Sequence, residues 1–260
     1  MSGQFDAGRT VTAVGLPHSE TRAFRHRQEP AVLRLAVRPL DSVDLRAADS
    51  LGPAVRARAQ GFHHEEDRRR FLAGRLAARS LVAAYLQAPE DAVSAVAHCP
   101  DCLHGNDGSH GEPRYFIAGE PTPLRVSFSR SGNWLAAALA QTRVGVDLED
   151  SDARAFADTA VEDVMATDTE KAAIAAAAVS NRPRLRAQIW VRKEALLKAS
   201  GQGLRVDPRN VETDFGERGR GNGAGFSGLR AYDVGPEQLG LPASFALSYA
   251  VDASIADGLA

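Results

Sequence analysis

The chain has 260 residues, with 31 Lys and Arg against 33 Asp and Glu and a formal net charge of -2, so nothing in its total charge argues for wholesale nucleic-acid or membrane binding. That length allows one large domain or two modest ones, each with a real core. No apolar run approaches the roughly 20 residues that span a bilayer, and the opening MSGQFDAGRT has neither region of a signal peptide, so a cytoplasmic protein is expected.

Residues 1–30 are polar, Arg-rich and aperiodic, and read as a disordered leader. An N-terminal lobe is expected over 31–140 and a C-terminal lobe over 141–260. AVLRLAVRPL has the β-like apolar content of a first strand. DRRRFLAGRLAARSLVAAYL then spaces Phe71, Leu72, Leu76, Leu81, Val82 and Tyr85 at near-helical intervals, which predicts a helix. Basic charge gathers just there, as Arg56, Arg58, Arg68, Arg69, Arg70, Arg75 and Arg79.

AHCPDCLHGNDGSHGEPRYFIAGEPTP is dense in Gly, Pro, Asp and His and reads as loop. Its His98, Cys99, Cys102, His104 and His110 are residue types that bind zinc. A closed structural site draws on two separated ligand pairs, however, and one CxxC supplies only one, which favours incidental thiols in a loop.

RVSFS and NWLAAALA read as two short strands hinged at Ser131-Gly132, and with RVGVDLE they suggest a meander. Residues 156–180 are Ala-rich and predict a helix. RPRLRAQIWVRKEALLKASGQG predicts a second strong one, closed by Gly201 and Gly203. The tail alternates loop with strands such as SFALSYAV. The expected fold is α+β, as two similar halves, each a small antiparallel sheet packed with a long helix.

In RVGVDLEDSD the strand period of two sends Asp147 and Glu149 to one side, and Val144, Val146 and Leu148 to the other. Like charges held side by side need a shared proton or a cation, and a hard divalent ion with oxygen ligands is the commonest relief. On the second helix Glu194 and Lys198 share a face, with Trp190 one turn earlier. Spacing alone also describes a solvated i,i+4 ion pair beside an aromatic anchor.

Taken together, GVDLE and, about 40 residues later, WVRKEALLKASGQGL closely resemble the paired signature of the Sfp-type 4'-phosphopantetheinyl transferases, of the actinobacterial-like kind that activates polyketide and nonribosomal-peptide carriers. Gly145, Asp147 and Glu149 stand in its GxDxE strand. Trp190, Lys193, Glu194, Ala195, Lys198, Gly201 and Gly203 stand in its WxxKEAxxKxxGxG helix. HEEDRRRFLAGRLAARSLV, GEP at 111–113 and VSFSRSGNWLAAAL resemble its early helix, GKP-like turn and SHSG strand pair.

The resemblance implies a pseudo-symmetric monomer that moves the phosphopantetheine arm of coenzyme A to a serine of a small acidic carrier domain in polyketide, nonribosomal-peptide or fatty-acid synthesis. It implies magnesium on Asp147, Glu149 and Glu194, with Glu194 as base, and Asp147, Glu194 and Lys198 as the catalytic set. Coenzyme A phosphates would meet Arg58, Arg70 and Lys198, with Ser129 and Arg130 as a pair near the 3'-phosphate. Arg130 replaces the family's usual histidine with a permanent charge, and Glu112 replaces a lysine, leaving Arg114 as a substitute. Two other readings are a different magnesium-dependent phosphotransferase and an inactive module that binds coenzyme A or a carrier. The chain has no GxxxxGK[ST] loop, against the first, and keeps all of Asp147, Glu149, Glu194 and Lys198, against the second.

Overall fold

A computed structural model describes residues 10–12, 33–98, 111–213, 218–220 and 226–256. In chain order its strands and α-helices are β1 (Thr10–Thr12), β2 (Arg34–Pro39), α1 (Pro53–Gln60), α2 (Glu65–Leu86), β3 (Val93–His98), β4 (Glu112–Ile117), β5 (Glu120–Ser131), β6 (Trp134–Ala140), β7 (Val144–Asp150), α3 (Arg154–Ala157), α4 (Ala160–Met165), α5 (Asp168–Ala176), α6 (Arg182–Ser200), β8 (Arg218–Arg220), β9 (Leu229–Asp233), α7 (Pro236–Leu239), β10 (Phe245–Asp252) and α8 (Ala253–Ala256). Among the described residues the strands form two antiparallel sheets, in the orders β1-β2-β6-β5-β4-β3 and β7-β10-β9-β8. Mixed helix and antiparallel sheet was the expected class.

Strand β6 explains how the layers stack. Its WLAAALA sequence puts small residues on both faces, and residues 135–140 are all but inaccessible. Leu135, Ala137 and Leu139 pack toward α2, with Ala73, Ala77, Val82 and Ala83. Ala136, Ala138 and Ala140 face the second sheet and meet Val144, Val146 and Leu148 of β7. A strand buried on both faces needs apolar residues throughout rather than alternation.

This packing corrects the expected meander. Strands β4, β5 and β6 do run as neighbours, but β7 does not continue them, because both edges of β6 are taken by β2 and β5. Strand β7 turns its apolar face onto that sheet and pairs instead with β10, Asp147 opposite Ser248.

The Ala-rich stretch 156–180 is also not one helix but parts of three, α3, α4 and α5. Thr167 restarts the chain by a capping box: its hydroxyl accepts from the Glu170 amide at 3.2 Å, and the Glu170 carboxylate accepts from the Thr167 amide at 2.9 Å. Helix α6 matches its prediction and ends at Gly201, whose φ of 71° is the left-handed value glycine adopts without strain.

Three residues of the expected leader, Thr10–Thr12, form an edge strand against β2. Such pairing satisfies backbone groups that an open sheet edge leaves free. His98 closes β3, whereas Cys99, Cys102, His104 and His110 lie outside the described residues. Among the described residues no helix is long and apolar enough to cross a membrane.

Candidate active site

Gly145, Asp147 and Glu149 fall on the face of β7 opposite its apolar residues, and this face is covered by α6. A Cβ on Gly145 would lie 1.9 Å from the Ala195 carbonyl oxygen and 2.7 Å from the Ala199 amide. Only glycine permits that approach of helix to strand. The approach carries the Lys198 ammonium to 2.6 Å from Asp147 Oδ1 and 3.1 Å from the Val146 carbonyl. Lys198 therefore pairs with Asp147 rather than forming a solvated pair with Glu194.

Asp147 is 3% exposed. Its Oδ1 accepts from Lys198 and, at 2.7 Å, from the Ser129 hydroxyl, while its Oδ2 is buried without a partner. Glu194 Oε1 is likewise buried and unpartnered. Glu149 accepts from the Ser131 hydroxyl at 2.9 Å. Burial pushes the Glu149 carboxyl up to about 7; the charges of Asp147 and Glu194 add to the rise, and Ser131 and Lys198 oppose it. Burial raises Glu194 as well, with Lys198 opposing and Asp147 adding. The three carboxylates thus feel one another, although among the described residues no three His, Cys, Asp or Glu side chains converge to a set that would hold a metal ion as they stand.

Strand β5 sets the two sides of this centre. Its period of two sends Ser127, Ser129 and Ser131 toward β7, where Ser127 accepts from the Val146 amide at 3.1 Å and Ser131 from the Asp150 amide at 3.2 Å. Arg130 leaves the opposite face toward α2. Its guanidinium lies 5.8 Å from the Phe71 ring centre, and those of Arg58 and Arg75 lie 5.7 and 5.3 Å from the same ring. Gly74 makes room, since a Cβ there would sit 2.8 Å from Arg130 Cδ. Burial holds the Arg130 guanidinium below its ordinary value, and the charges of Arg75 and Arg58 add to that. Arg75 is lowered by burial first and by Arg58 after it.

Three cations crowded on one aromatic ring concentrate positive charge at one place, which is the electrostatics an anion requires. Arg58 and Arg130 were expected as phosphate ligands; Arg75 was not, although its place one turn after Phe71 on α2 is a signal that could have found it. Arg70 stands apart, in an exposed pair with Glu66 at 2.6 Å. Ser129 and Arg130, expected at one phosphate, face opposite ways. Glu112 binds Arg125 at 2.9 Å and Arg114 at 3.1 Å, so Arg114 is engaged rather than free to stand in for a lysine.

Two further motif residues are structural. Trp190 packs against Phe156, Met165 and Ala187. Lys193 is fully buried and binds Glu170 at 2.5 Å and the carbonyls of Met165 and Pro208. Glu170 also accepts from the Thr213 amide and hydroxyl, so this pair joins α6 to α5 and to the segment before β8.

Compared with known families, residues 143–250 match the model of the 4'-phosphopantetheinyl transferase superfamily, known as ACPS. No curated protein matches the chain. The matched segment runs from the start of β7 almost to the end of β10 and includes every residue of the carboxylate–lysine centre; the arginine cluster lies outside it. The match supports phosphopantetheinyl transfer as the class of activity, and members of this superfamily use coenzyme A and act on carrier proteins.

Proposed function

We propose that this protein is an Sfp-type 4'-phosphopantetheinyl transferase that moves the phosphopantetheine arm of coenzyme A to a serine of an acyl or peptidyl carrier protein in polyketide, nonribosomal-peptide or fatty-acid synthesis. The observation that carries the reading is the pair of buried, unpartnered carboxylate oxygens, Asp147 Oδ2 and Glu194 Oε1, beside Lys198. Unsatisfied buried acceptors are costly and call for a missing donor or cation.

The donor set fits magnesium. Asp147, Glu149 and Glu194 offer only hard oxygen atoms, burial raises the carboxyls of Glu149 and Glu194 and their neighbours' negative charge adds to the rise, and these three would hold the ion. When bound, magnesium would supply positive charge to the pyrophosphate and to the leaving phosphate.

The chain's own residues account for the remainder. The carrier serine Oγ attacks the β-phosphorus of coenzyme A; the bond from that phosphorus to the bridging oxygen breaks, and adenosine 3',5'-bisphosphate leaves. Glu194, made more basic by burial, takes the serine proton. Lys198 gives the phosphate oxygens a point charge from a site 29% exposed, enough to meet a ligand while held by Asp147. Arg58, Arg75 and Arg130 offer positive charge to the phosphates of coenzyme A, with Arg70 at the rim.

Two features support a two-lobed, pseudo-symmetric arrangement: each sheet carries one long helix, α2 or α6, and the serine hydroxyls of β5 bind across to β7. A cytoplasmic monomer acting on a small acidic carrier domain completes the reading.

Intact-protein mass spectrometry of an apo carrier incubated with this protein, coenzyme A and magnesium is the test. A gain of about 340 Da, the mass of the arm esterified to serine, abolished by EDTA, is the expected result. No gain on carriers of all three pathways overturns it.

A further inference from the structure

A second pocket lies away from the carboxylates, between the start of α1, the second half of α2 and the outer strand β3. It measures about 330 Å³ and is lined by Leu51, Val55, Arg75, Arg79, Val93 and Tyr115, among others. Its chemistry is that of an anion site with apolar walls.

Arg79 is 8% exposed, its Nη1 donates to the Ser50 hydroxyl at 2.7 Å, and its buried Nε has no partner. A buried cation with an unused donor is an unfinished interaction. Helix α1 begins at the same pocket with Gly52 as its cap, which has no side-chain oxygen to offer, and Pro53, which has no N–H. A 3-10 turn, Leu45–Leu51, precedes the helix, yet among the described residues the amides of Ala54 and Val55 donate to nothing and remain for a ligand at the positive end of the helix. Arg75 faces this pocket as well as the Phe71 cluster, so a dianion here would also relieve repulsion between Arg75 and Arg58.

We infer that this pocket binds the phosphate of a phosphomonoester. Arg79 and the first amides of α1 grip the dianion, Arg75 adds its charge, and the organic body lies along Leu51, Val55 and Val93. Guanidinium and helix-start amides together suit tetrahedral oxyanions. The volume accommodates one small ring beside the phosphate. This binding stands apart from the transfer reading; only the assignment of the phosphate to coenzyme A rests on it.

Calorimetric titration with phenyl phosphate, and with phenol as the uncharged control, tests the site. Saturable binding of phenyl phosphate and none of phenol is expected, with at least a tenfold loss of affinity in Arg79→Gln. Ala95→Glu places a carboxylate at an exposed lining position of β3 without disturbing the core, and the same tenfold loss is expected there if the buried arginine variant fails to fold. Absence of phenyl phosphate binding to the wild type, or wild-type affinity in Ala95→Glu, overturns the inference.

The KM values of coenzyme A and dephospho-coenzyme A with Ala95→Glu then identify the source. A tenfold rise for coenzyme A alone assigns the site to its 3'-phosphate. Unchanged values for both, with phenyl phosphate binding lost, assign it to a separate phosphomonoester. A carrier that gains no mass under any condition sinks the transfer reading and leaves the titration result standing.

Discussion

The Ser129 hydroxyl donates to Asp147 Oδ1 across 2.7 Å, from one sheet to the other, while the next residue, Arg130, leaves β5 on the opposite face. Ser129 thus holds the carboxylate that Lys198 also grips, and with Ser127 and Ser131 it fastens β5 to β7. Ser129→Ala removes a hydrogen bond to a charged, buried group, which costs about 1.5–3 kcal/mol. Urea unfolding should show that loss, with activity reduced through a raised magnesium requirement rather than a raised KM for coenzyme A. A raised coenzyme A KM with unchanged stability would instead make Ser129 a phosphate ligand.

Two glycines of the motifs should behave very differently. Gly145→Ala drives a methyl group into the backbone of α6, where neither Ala195 nor Ala199 can yield without moving the helix, and about 3 kcal/mol or more is expected. Glu194 and Lys198 move with that helix, so activity should be lost even in the fraction that folds. Gly201→Ala meets no atom within 4 Å and suffers only from its left-handed φ, which amounts to about 1 kcal/mol. Denaturation midpoints of the two variants side by side would check the ranking.

Local patterns were legible in the sequence because they are local. The alternation of RVGVDLE gave the face carrying Asp147 and Glu149, and the periodicity of 182–200 with its terminal glycine gave α6. The same period of two, applied to SFSRS, sends Ser129 and Arg130 to opposite faces of β5, whereas the family resemblance sets them at one phosphate. The break-up of 156–180 was also readable, since Thr167 and Glu170 form a T-x-x-E box that outranks alanine's helix propensity. Partners far apart in the chain were not legible. Nothing near β7 says that it will pair with β10, roughly 100 residues later, or that Arg75 will meet Arg58 from another helix over Phe71.

The raised carboxyl of Glu149 fixes a pH dependence. Its folded value of about 7 lies above the ordinary 4.5, so between those limits the folded state holds a proton that the unfolded chain has released. Stability from this group is therefore present at low pH and is lost as pH rises toward 7. Glu149→Gln should be more stable than the wild type at pH 8 and close to it at pH 5, measured by urea midpoints. Magnesium should stabilise the wild type more at pH 8 than at pH 5, and that difference should be smaller in Glu149→Gln, where of the two raised carboxyls only Glu194 remains. A pH-independent difference between the two proteins would place the Glu149 carboxyl in its ordinary range.

Lys193 and Lys198, five residues apart on α6, separate fold from chemistry. Lys193 is sealed against Glu170 with both side chains fully buried, so Lys193→Met leaves a charge that only Thr213 and Thr167 still satisfy. Breaking such a pair from one side costs about 3–5 kcal/mol. Lys198 is partly open although Asp147 is buried, so Lys198→Ala removes the cover over the Asp147 carboxylate and lets water and cations in while Ser129 still donates to it, and the loss of stability should be smaller than at Lys193. Activity should divide the other way. Molecules of Lys193→Met that remain folded should transfer at close to the wild-type rate, whereas Lys198→Ala should fold normally, bind magnesium and lose at least a hundredfold in kcat/KM, about 2.7 kcal/mol of transition-state stabilisation. Circular dichroism melts paired with the carrier mass assay would decide it: a stable, inactive Lys193→Met or a fully active Lys198→Ala would exchange the two roles.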